Sequence, residues 1–357
     1  MVLTGRWRPQ RNWGCRIHEG STQGLRTITL ENRSLRITFL LDRGADLVEL
    51  LYKPQDLDFA WLTAGGVKDP RAWANSSPDL SATFHDYYAG GWQEPFPNMG
   101  VPATVGGAQF GQHGEAPTLP WDVTIVEDNP EAVAVRFSVR TPKMPFLLER
   151  TVSLRGDGAT FRFDGRAVNE SDVELHAMWG HHVTFGQPFL HPGVRITLPD
   201  GVRTFVHPGE SRNDAWLPAG TEGSWPQLPA NPGAPADAEG MADLSIVPPP
   251  GSPGEMCYHT GFDADAWYRV ESDRHGAGAE VRWDGSTMPY LWHWHEYGAG
   301  AGYFAWGRHY NIGLEPATSW SPSALPGAID NGTALTLPPR GERTHWLEFE
   351  VYPAGER

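Results

Sequence analysis

The sequence predicts an all-β protein, built as a large antiparallel β-sandwich, on three observations. It contains 41 Gly and 32 Pro, residues that are unfavourable inside long helices. No segment has a convincing hydrophobic period of 3.6 residues. Short β-rich runs alternate with turn residues along the whole chain, which is typical of antiparallel sheets. Roughly twenty such strands would form two facing sheets.

Turn residues divide the chain into candidate strands. Residues 121–127 and 132–140 flank Asn129-Pro130, and residues 146–154 and 160–168 flank Gly156-Asp157-Gly158, so each pair predicts a hairpin. Residues 174–185 form one long strand candidate. The other main candidates are residues 27–31, 35–40, 46–52, 268–271, 279–283, 290–296, 302–306, 310–315, 333–337 and 344–352.

A segment rich in Pro, Gly and Ala, at about residues 214–240, interrupts the series of strands. It is either a linker between two domains or a long loop within one. No internal repeat supports two similar halves. We therefore expect residues 1–357 to form a single domain that this loop crosses.

Charge and motifs restrict the partners. The chain has 28 basic and 43 acidic residues and a net charge of −15, so nucleic acid and membrane surfaces are poor partners. It shows no secretory leader and no apolar run long enough for a membrane helix, which favours a cytoplasmic protein. Phosphate-loop, HExxH, CxxC and GxSxG motifs are absent, so we expect no cofactor and no metal. Two cysteines, Cys15 and Cys257, have no metal-ligand spacing, and we expect separate thiols.

The richest group of candidate ligand-binding residues lies in the segment Gly-Gly-Trp-Gln-Glu-Pro-Phe-Pro-Asn and in Gly-Gln-His-Gly-Glu, which follows it. Polar side chains beside flat rings on loops are what a sugar site requires, because a ring face stacks on a pyranose while side chains bind its hydroxyls. The alternative is a loop held together by its own side chains. The candidates are Trp92, Gln93, Glu94, Asn98 and His113.

Three later segments add candidate acid, base and stacking groups. His181 and His182 are neighbours in a strand, so at most one of them faces a given cleft. Glu315 ends an apolar strand, where desolvation would raise its pKa toward the range of a general base. Alternation puts Trp292, Trp294 and Glu296 on one strand face and His293, His295 and Tyr297 on the other, and either face could bind sugar. For each of these segments the alternative is that the side chains pack in the core and bind no ligand.

Read together, these segments resemble the galactose mutarotase-like superfamily, which includes the aldose 1-epimerases. The resemblance rests on LENRSLRITFLLDRGADLVELLYKPQDLDFAW, GWQEPFPN, GQHGE, WGHHVTFGQPFL and GLEP, in that order. It implies a large antiparallel β-sandwich with a site in a cleft on its concave face. It also implies that Glu315 is the general base, His182 the general acid and His113 a sugar-binding residue.

The chain departs from the family pattern at two places. Gln93, Glu94 and Asn98 occupy the stretch where aldose 1-epimerases usually carry an Arg. The substrate-binding Asp has no clean counterpart, although Asp265, or Asp263 near it, lies at a plausible distance before Glu315. These departures affect the sugar specificity more than the reaction type.

The sequence thus predicts an isomerase that interconverts the anomers of a small free sugar by opening and closing its ring. A non-catalytic carbohydrate-binding protein on the same fold is the alternative. A third reading is another enzyme on this scaffold, such as a sugar-phosphate epimerase or a relative of polysaccharide lyases. A phosphate substrate requires two or more converging Arg or Lys side chains, and Arg308 is the one candidate near the predicted site.

Overall fold

A computed structural model describes residues 11–71, 80–209 and 215–357. Within these ranges the chain forms 26 strands and two short α-helices, α1 (Ala82–His85) and α2 (Ala324–Asp330). The strands are β1 (Arg16–Thr22), β2 (Leu25–Glu31), β3 (Leu35–Leu40), β4 (Asp46–Tyr52), β5 (Leu57–Asp58), β6 (Trp92–Gln93), β7 (Ala103–Val105), β8 (Ala108–Phe110), β9 (Asp122–Asn129), β10 (Ala132–Arg140), β11 (Phe146–Arg155), β12 (Thr160–Asn169), β13 (Leu175–Ala177), β14 (His182–Gly186), β15 (Arg195–Thr197), β16 (Arg203–Val206), β17 (Glu222–Ser224), β18 (Gln227–Pro229), β19 (Met241–Asp243), β20 (Ser252–Thr260), β21 (Asp265–Ser272), β22 (Ala277–Asp284), β23 (Tyr290–Tyr297), β24 (Tyr310–Ala317), β25 (Leu335–Leu337) and β26 (Glu342–Pro353).

Two large antiparallel sheets account for most of these strands, which confirms the predicted fold class. One has twelve strands in the order β1-β2-β3-β4-β6-β14-β24-β23-β20-β16-β17, with β5 paired to β4. The other has eight, in the order β15-β21-β22-β26-β12-β11-β10-β9. The pairs β13-β25, β18-β19 and β7-β8 form small ribbons.

The two sheets enclose the main hydrophobic core. Phe39 of the twelve-stranded sheet contacts Phe137 of the eight-stranded sheet, with ring centroids 5.0 Å apart. Trp92 contacts Phe163 in the same way at 4.7 Å. Strand alternation turns Leu314 into this core, so the side chain of Glu315, its neighbour in β24, emerges on the opposite face of the sheet.

The two hairpins predicted from turn residues are confirmed. β9 pairs with β10 around the Asn129-Pro130 turn, and β11 pairs with β12 around Gly156-Asp157-Gly158. In both cases the turn residues provide the backbone conformations that a tight reversal needs. The positive φ of Gly156, +58°, is one that other residues adopt at a cost.

Three local predictions are wrong. Residues 174–185 form two strands, β13 and β14, in different sheets, because the chain crosses at Gly180 beneath Met99, where a Cβ would lie 2.6 Å from the Met99 side chain. Residues 302–306 are turns, and the ring of Phe304 stacks on His85 instead of joining a ladder. Helix α2 was not predicted, because seven residues that include Pro and Gly are too few to show a period. Neither described helix is long and apolar enough to cross a bilayer.

The Pro- and Gly-rich segment packs on the molecule and is only partly a loop. Its first residue lies outside the described residues, and it contains the strands β17 and β18. Trp216 and Leu228 are buried within it. The indole N–H of Trp216 donates to the carbonyl of Pro235 at 2.7 Å, which holds the segment closed on itself.

The two cysteines are separate, buried thiols, as expected from the sequence. The Sγ of Cys15 donates to the carbonyl of Gly156 at 3.3 Å, whereas Cys257 lies in β20. Burial raises the pKa of both thiols.

Candidate active site

A cavity of about 770 Å³ opens on the face of the twelve-stranded sheet that is turned away from the eight-stranded sheet. Strands β14, β20, β23 and β24 form its floor, and helix α1 together with loops forms its walls. The floor side chains are His182, Met256, Tyr258, Trp292, Trp294, Glu296 and Glu315. The wall residues include Phe84, His85, Tyr88, Gln112, His113, Tyr303 and Phe304. Its size suits an organic ligand larger than a few atoms, since typical ligand pockets span about 300–1,000 Å³.

His182 and Glu315 meet on the floor of this cavity. The Nε2 atom of His182 lies 3.4 Å from Oε1 of Glu315. Both side chains are almost completely buried, with 4% and 2% exposure. The second carboxylate oxygen, Oε2, has no hydrogen-bond partner among the described residues. A buried acceptor without a partner is costly unless a ligand or water satisfies it.

Strand pairing and one glycine position this pair. β14 and β24 are antiparallel neighbours, so alternate side chains of both strands project to the same face. Gly313 leaves room for the carboxylate, because a Cβ there would lie 2.8 Å from Oε1 of Glu315. Trp294 packs over the same glycine, with its Cε3 atom 3.3 Å from that position. A larger residue at 313 would displace the group that faces His182.

Burial disfavours the charged form of both partners. It raises the pKa of the Glu315 carboxyl well above its ordinary value. It lowers the pKa of His182 to about 4. Both directions have the same cause, which is the loss of water around a charge. The arrangement that suits this environment is one proton shared by the pair, and the two groups titrate as a unit.

The hydroxyl of Tyr88 contacts His182 through the ring nitrogen that does not face Glu315. Its oxygen lies 3.3 Å from Nδ1 of His182, and a neutral imidazole either donates to or accepts from a hydroxyl at this atom. The contact leaves Nε2, which lies 3.4 Å from Oε1 of Glu315, to exchange a proton with the carboxyl.

His113 forms a third polar corner of the cavity. Its ring centroid lies 5.2 Å from that of His182. The backbone N–H of Gly100 donates to Nδ1 of His113 at 3.3 Å, so its proton is on Nε2. The backbone of His113 has φ +61°, a left-handed conformation that is uncommon outside glycine and clusters at functional sites. Burial lowers its pKa well below the ordinary value, so the ring is neutral and its Nε2–H can donate.

Alternation in β23 puts the predicted tryptophan face in the cavity. Trp292, Trp294 and Glu296 line it, whereas His293 and His295 lie on the opposite face. Trp294 is half-buried, with its ring 5.8 Å from that of His182. Its accessible ring is in position to stack on a bound ligand.

Three polar residues predicted to bind ligand are buried below the cavity and bond to the protein itself. Arg150 donates to Oε2 of Glu94 at 3.0 Å, and Trp179 donates to Oε1 at 2.8 Å. Asn98 accepts from the backbone N–H of Leu325 at 2.9 Å. Gln93 donates to the carbonyl of Gly90. For these three residues the alternative interpretation applies, because their side chains hold the loop in place.

Trp92 and Asp265 also lie away from the cavity. Trp92 is 1% exposed in the core between the sheets, where its indole N–H donates to Nδ1 of His181 at 3.1 Å. Asp265 begins β21 in the eight-stranded sheet and forms an ion pair with Arg282 on the surface. Its neighbour Asp263 is exposed on the same side. The spacing between Asp265 and Glu315 along the sequence did not indicate that these two residues lie in different sheets.

Sequence reasoning missed several residues of the cavity wall and two of its floor. Phe84, His85 and Tyr88 come from the segment before Gly90, and Tyr258 and Met256 come from β20. The one available signal was the density of aromatic residues in Thr-Phe-His-Asp-Tyr-Tyr. No group of three or more His, Cys, Asp or Glu side chains suited to holding a metal ion occurs in the part of the chain that the structure describes.

Several solved structures share this fold. A candidate aldose 1-epimerase from Klebsiella pneumoniae superposes with a TM-score of 0.71 at 16% identity, over 94% of this chain and 83% of its own. A galactose mutarotase-like protein from Clostridium acetobutylicum superposes with a TM-score of 0.65 at 16% identity, over 95% and 99% of the two chains. A galactose mutarotase-like protein from Lactobacillus casei superposes with a TM-score of 0.55 at 17% identity, over 91% of this chain and 100% of its own. At these identities the likeness shows the fold alone.

Sequence comparison gives the family directly. No curated protein matches the chain. The model of a family described as "Domain of unknown function (DUF4432)" matches residues 22–216 and 216–351, which together span most of the chain. The protein has the galactose mutarotase-like fold, and it belongs to the DUF4432 family.

Proposed function

We propose that this protein is an isomerase of the aldose 1-epimerase type, which interconverts the two anomers of a free sugar. The single observation that carries the proposal is the buried pair of His182 and Glu315, 3.4 Å apart on the floor of a ligand-sized cavity. The hydroxyl oxygen O1 and the ring oxygen O5 of a pyranose are bonded to the same carbon. An acid and a base that serve both must therefore lie within a few ångströms of each other.

The reaction follows from the shared proton. It begins with Glu315 as carboxylate and His182 protonated at Nε2. Glu315 takes the proton of O1 while the bond between C1 and O5 breaks, and Nε2 gives its proton to O5. The product is the open-chain aldehyde, with Glu315 protonated and His182 neutral. Rotation about C1–C2 and the reverse transfers then close the ring on the other face.

Burial suits this cycle, because it makes the charged form of each partner, from which the reaction starts, more reactive than the same group in water. The raised pKa of Glu315 makes its carboxylate a stronger base than an exposed one. The lowered pKa of His182 makes its protonated ring a stronger acid. Positioned acid–base groups contribute roughly 10²–10⁴-fold to such a reaction.

The remaining cavity residues would hold the sugar. Nε2–H of His113 would donate to a hydroxyl, and the Trp294 ring would stack on the C–H face of the pyranose. The names of the structural relatives support the same substrate class, a small sugar.

The experiment is exchange NMR or polarimetry with a panel of aldoses. The wild-type protein accelerates anomer interconversion of at least one aldose, and Glu315→Gln, which keeps the shape of the side chain, reduces the rate by roughly 10²–10⁴-fold. Glu280→Gln is the matched control, because Glu280 is equally buried but pairs with Arg269 in the other sheet. Binding of sugars by calorimetry without any acceleration would instead establish a carbohydrate-binding protein.

A further inference from the structure

The connection between strands β23 and β24 is longer than a hairpin between neighbouring strands requires. It runs over residues 298–309, after β23 ends at Tyr297 and before β24 begins at Tyr310, whereas hairpin loops usually contain about two to five residues. Both strands belong to the floor of the cavity, and six residues of the connection line the cavity wall. We call residues 298–309 the strap.

The backbone of the strap is bonded to itself and not to its surroundings. The N–H of Trp306 donates to the carbonyl of Gly302 at 2.9 Å, and the N–H of Gly307 donates to the carbonyl of Gly300 at 2.7 Å. No backbone hydrogen bond joins residues 299–308 to another part of the chain that the structure describes. A segment with few bonds to its surroundings opens at a low free energy, so the strap can be displaced as a unit.

Side chains of Tyr303 and Phe304 fasten the strap to the segment that contains α1. The ring of Phe304 stacks on that of His85, with centroids 4.7 Å apart and planes at 12°. The hydroxyl of Tyr303 donates to Oδ1 of Asp86 at 2.7 Å. Phe304 and Trp294 also pack against a small hydrophobic cluster that is separate from the main core. Displacement of the strap therefore leaves the main core intact.

The rings of Phe304 and Trp294 are nearly parallel, and both line the cavity. Their planes are 27° apart and their centroids are separated by 6.5 Å. One apolar contact spans about 3.5–4.0 Å, so a pyranose in contact with both ring faces requires about 7–8 Å between them. The observed separation is too wide for direct stacking and slightly too narrow for a sugar. Outward movement of the strap by about 1 Å would open the gap to the required width.

Trp294 places this gap beside the acid–base pair. Its ring lies 5.8 Å from that of His182. Its Cε3 atom packs over Gly313, two residues before Glu315 in β24. A pyranose that stacks on Trp294 is therefore within reach of both reacting groups.

We propose that Phe304 is a second sugar-binding ring, and that the strap closes it onto the pyranose face opposite Trp294. We call the two rings the clamp. This inference rests on the proposed function, which makes the ligand a free sugar. Two aromatic rings can cover both faces only of a pyranose that presents C–H groups on both, as D-glucose does because its hydroxyls on C2, C3 and C4 are all equatorial. The axial C4 hydroxyl of D-galactose would be buried against a ring without a hydrogen-bond partner. The clamp thus selects sugars with equatorial hydroxyls.

The test compares D-glucose with D-galactose, which differ only at C4. For each, kcat/KM of anomer interconversion is measured by exchange NMR after subtraction of the uncatalysed rate. We expect D-glucose to exceed D-galactose by at least about fivefold, because a buried hydroxyl without a partner is costly. Phe304→Ala uncovers one face of the sugar and should lower this ratio by at least about threefold.

Trp306→Asn is the matched control on the same strap and should leave the ratio unchanged. Trp306 is 58% exposed and lies outside the described lining of the cavity. Its φ of +49° is one that asparagine tolerates.

Hydrogen exchange tests the movement of the strap in the unmodified protein. The bonded amides of Trp306 and Gly307 exchange when the strap opens, and bound D-glucose slows this opening by the factor by which it prefers the closed form. We expect saturating D-glucose to slow exchange in peptides that cover residues 298–309 by about two- to tenfold. The β9–β10 hairpin of the other sheet should be unaffected. Equal exchange of the strap with and without bound D-glucose overturns the clamp.

The outcomes separate the clamp from the proposed function. If D-galactose is turned over as fast as D-glucose or faster, or if Phe304→Ala keeps the wild-type ratio, the clamp is wrong and the proposed function stands. If neither sugar is turned over, the proposed function fails for these hexoses, and calorimetry with D-glucose decides the clamp. Binding that Phe304→Ala weakens by about two- to tenfold then supports it. Equal binding by the variant, or no binding by the wild type, overturns it.

Discussion

Tyr88 contacts His182 of the His182–Glu315 pair from the wall of the cavity. Its ring packs against Phe84 with centroids 4.8 Å apart, and its hydroxyl oxygen lies 3.3 Å from Nδ1 of His182. In the proposed mechanism the hydroxyl proton of Tyr88 is not transferred to or from the sugar. Its role in the proposed mechanism is to accept the Nδ1 proton of His182 and so keep Nε2 directed at Glu315. Tyr88 is therefore a positioning residue.

Replacement of Tyr88 by Phe tests this role. The variant keeps the packing but leaves Nδ1 of His182 without an acceptor, so we expect kcat to fall by about tenfold while KM is unchanged. The ¹⁵N chemical shifts of His182 should show loss of the single tautomer. Tyr310→Phe is the control, because its hydroxyl donates to the Pro248 carbonyl outside the cavity. Unaltered shifts together with an unaltered kcat would contradict a positioning role.

Single residues also show where sequence reasoning reached its limit. Glu315 and His182 were predicted from their strands and His113 from its Gly-rich loop, all three with the family resemblance, and the structure places them in one cavity. Glu94 was predicted to bind ligand because it lies in a polar, Gly- and Pro-rich loop. Its actual partner, Arg150, is 56 residues further along the chain. A local pattern shows that a carboxylate needs a partner but cannot show whether a ligand or a distant side chain provides it.

At the scale of elements, strand β23 separates two environments. Its tryptophan face lines the cavity, and its histidine face packs against His259, Trp216 and Trp225 behind the sheet. Nε2 of His259 lies 3.3 Å from Nδ1 of His293. Burial lowers the pKa of His293 to about 3 and that of His259 well below its ordinary value. These rings are neutral in the folded protein, so protonation favours the unfolded chain.

The buried histidines predict a loss of stability in acid. In the unfolded chain a histidine takes up a proton below about pH 6.5, whereas His293 resists protonation down to about pH 3. The unfolded state therefore binds more protons in this window, and the free energy of unfolding falls as the pH falls from 6.5 toward 3. Each such histidine contributes a slope of up to about 1.4 kcal/mol per pH unit.

Urea unfolding measured between pH 7 and pH 4 checks this slope. His293→Leu should be less sensitive to acid than the wild type, because one of the responsible groups is gone. His18→Gln, at a side chain that is 47% exposed, is the control. A stability that does not change between pH 6.5 and pH 4 would show that the buried rings are not the acid-sensitive groups.

The elements that were predicted correctly are those with local causes. Asn129-Pro130 and Gly156-Asp157-Gly158 define tight turns by themselves, and both hairpins form. The break between β13 and β14 depends on residues distant in the sequence, because Met99 lies against Gly180 and the backbone N–H of His181 donates to the carbonyl of Pro316. The sequence of residues 174–185 alone therefore does not predict the break.

At the scale of the whole molecule, we propose that residues 1–357 form one domain. The largest hydrophobic cluster includes residues of both large sheets and also Trp216, Leu217 and Leu228 of the Pro- and Gly-rich segment. The urea series tests this proposal as well. A single domain gives coincident transitions by far-UV circular dichroism and by tryptophan fluorescence, whereas two separate midpoints would show two units.

The central claim is that His182 and Glu315 act on one sugar as a single acid–base unit. The most direct measurement is a double-mutant cycle, with Glu315→Gln, His182→Gln and the double variant compared by exchange NMR under identical conditions. We predict that each single change lowers the rate by roughly 10²–10⁴-fold and that the double variant is no slower than the slower single variant. A double variant whose loss equals the product of the two single losses would show independent groups and would contradict the shared-proton mechanism.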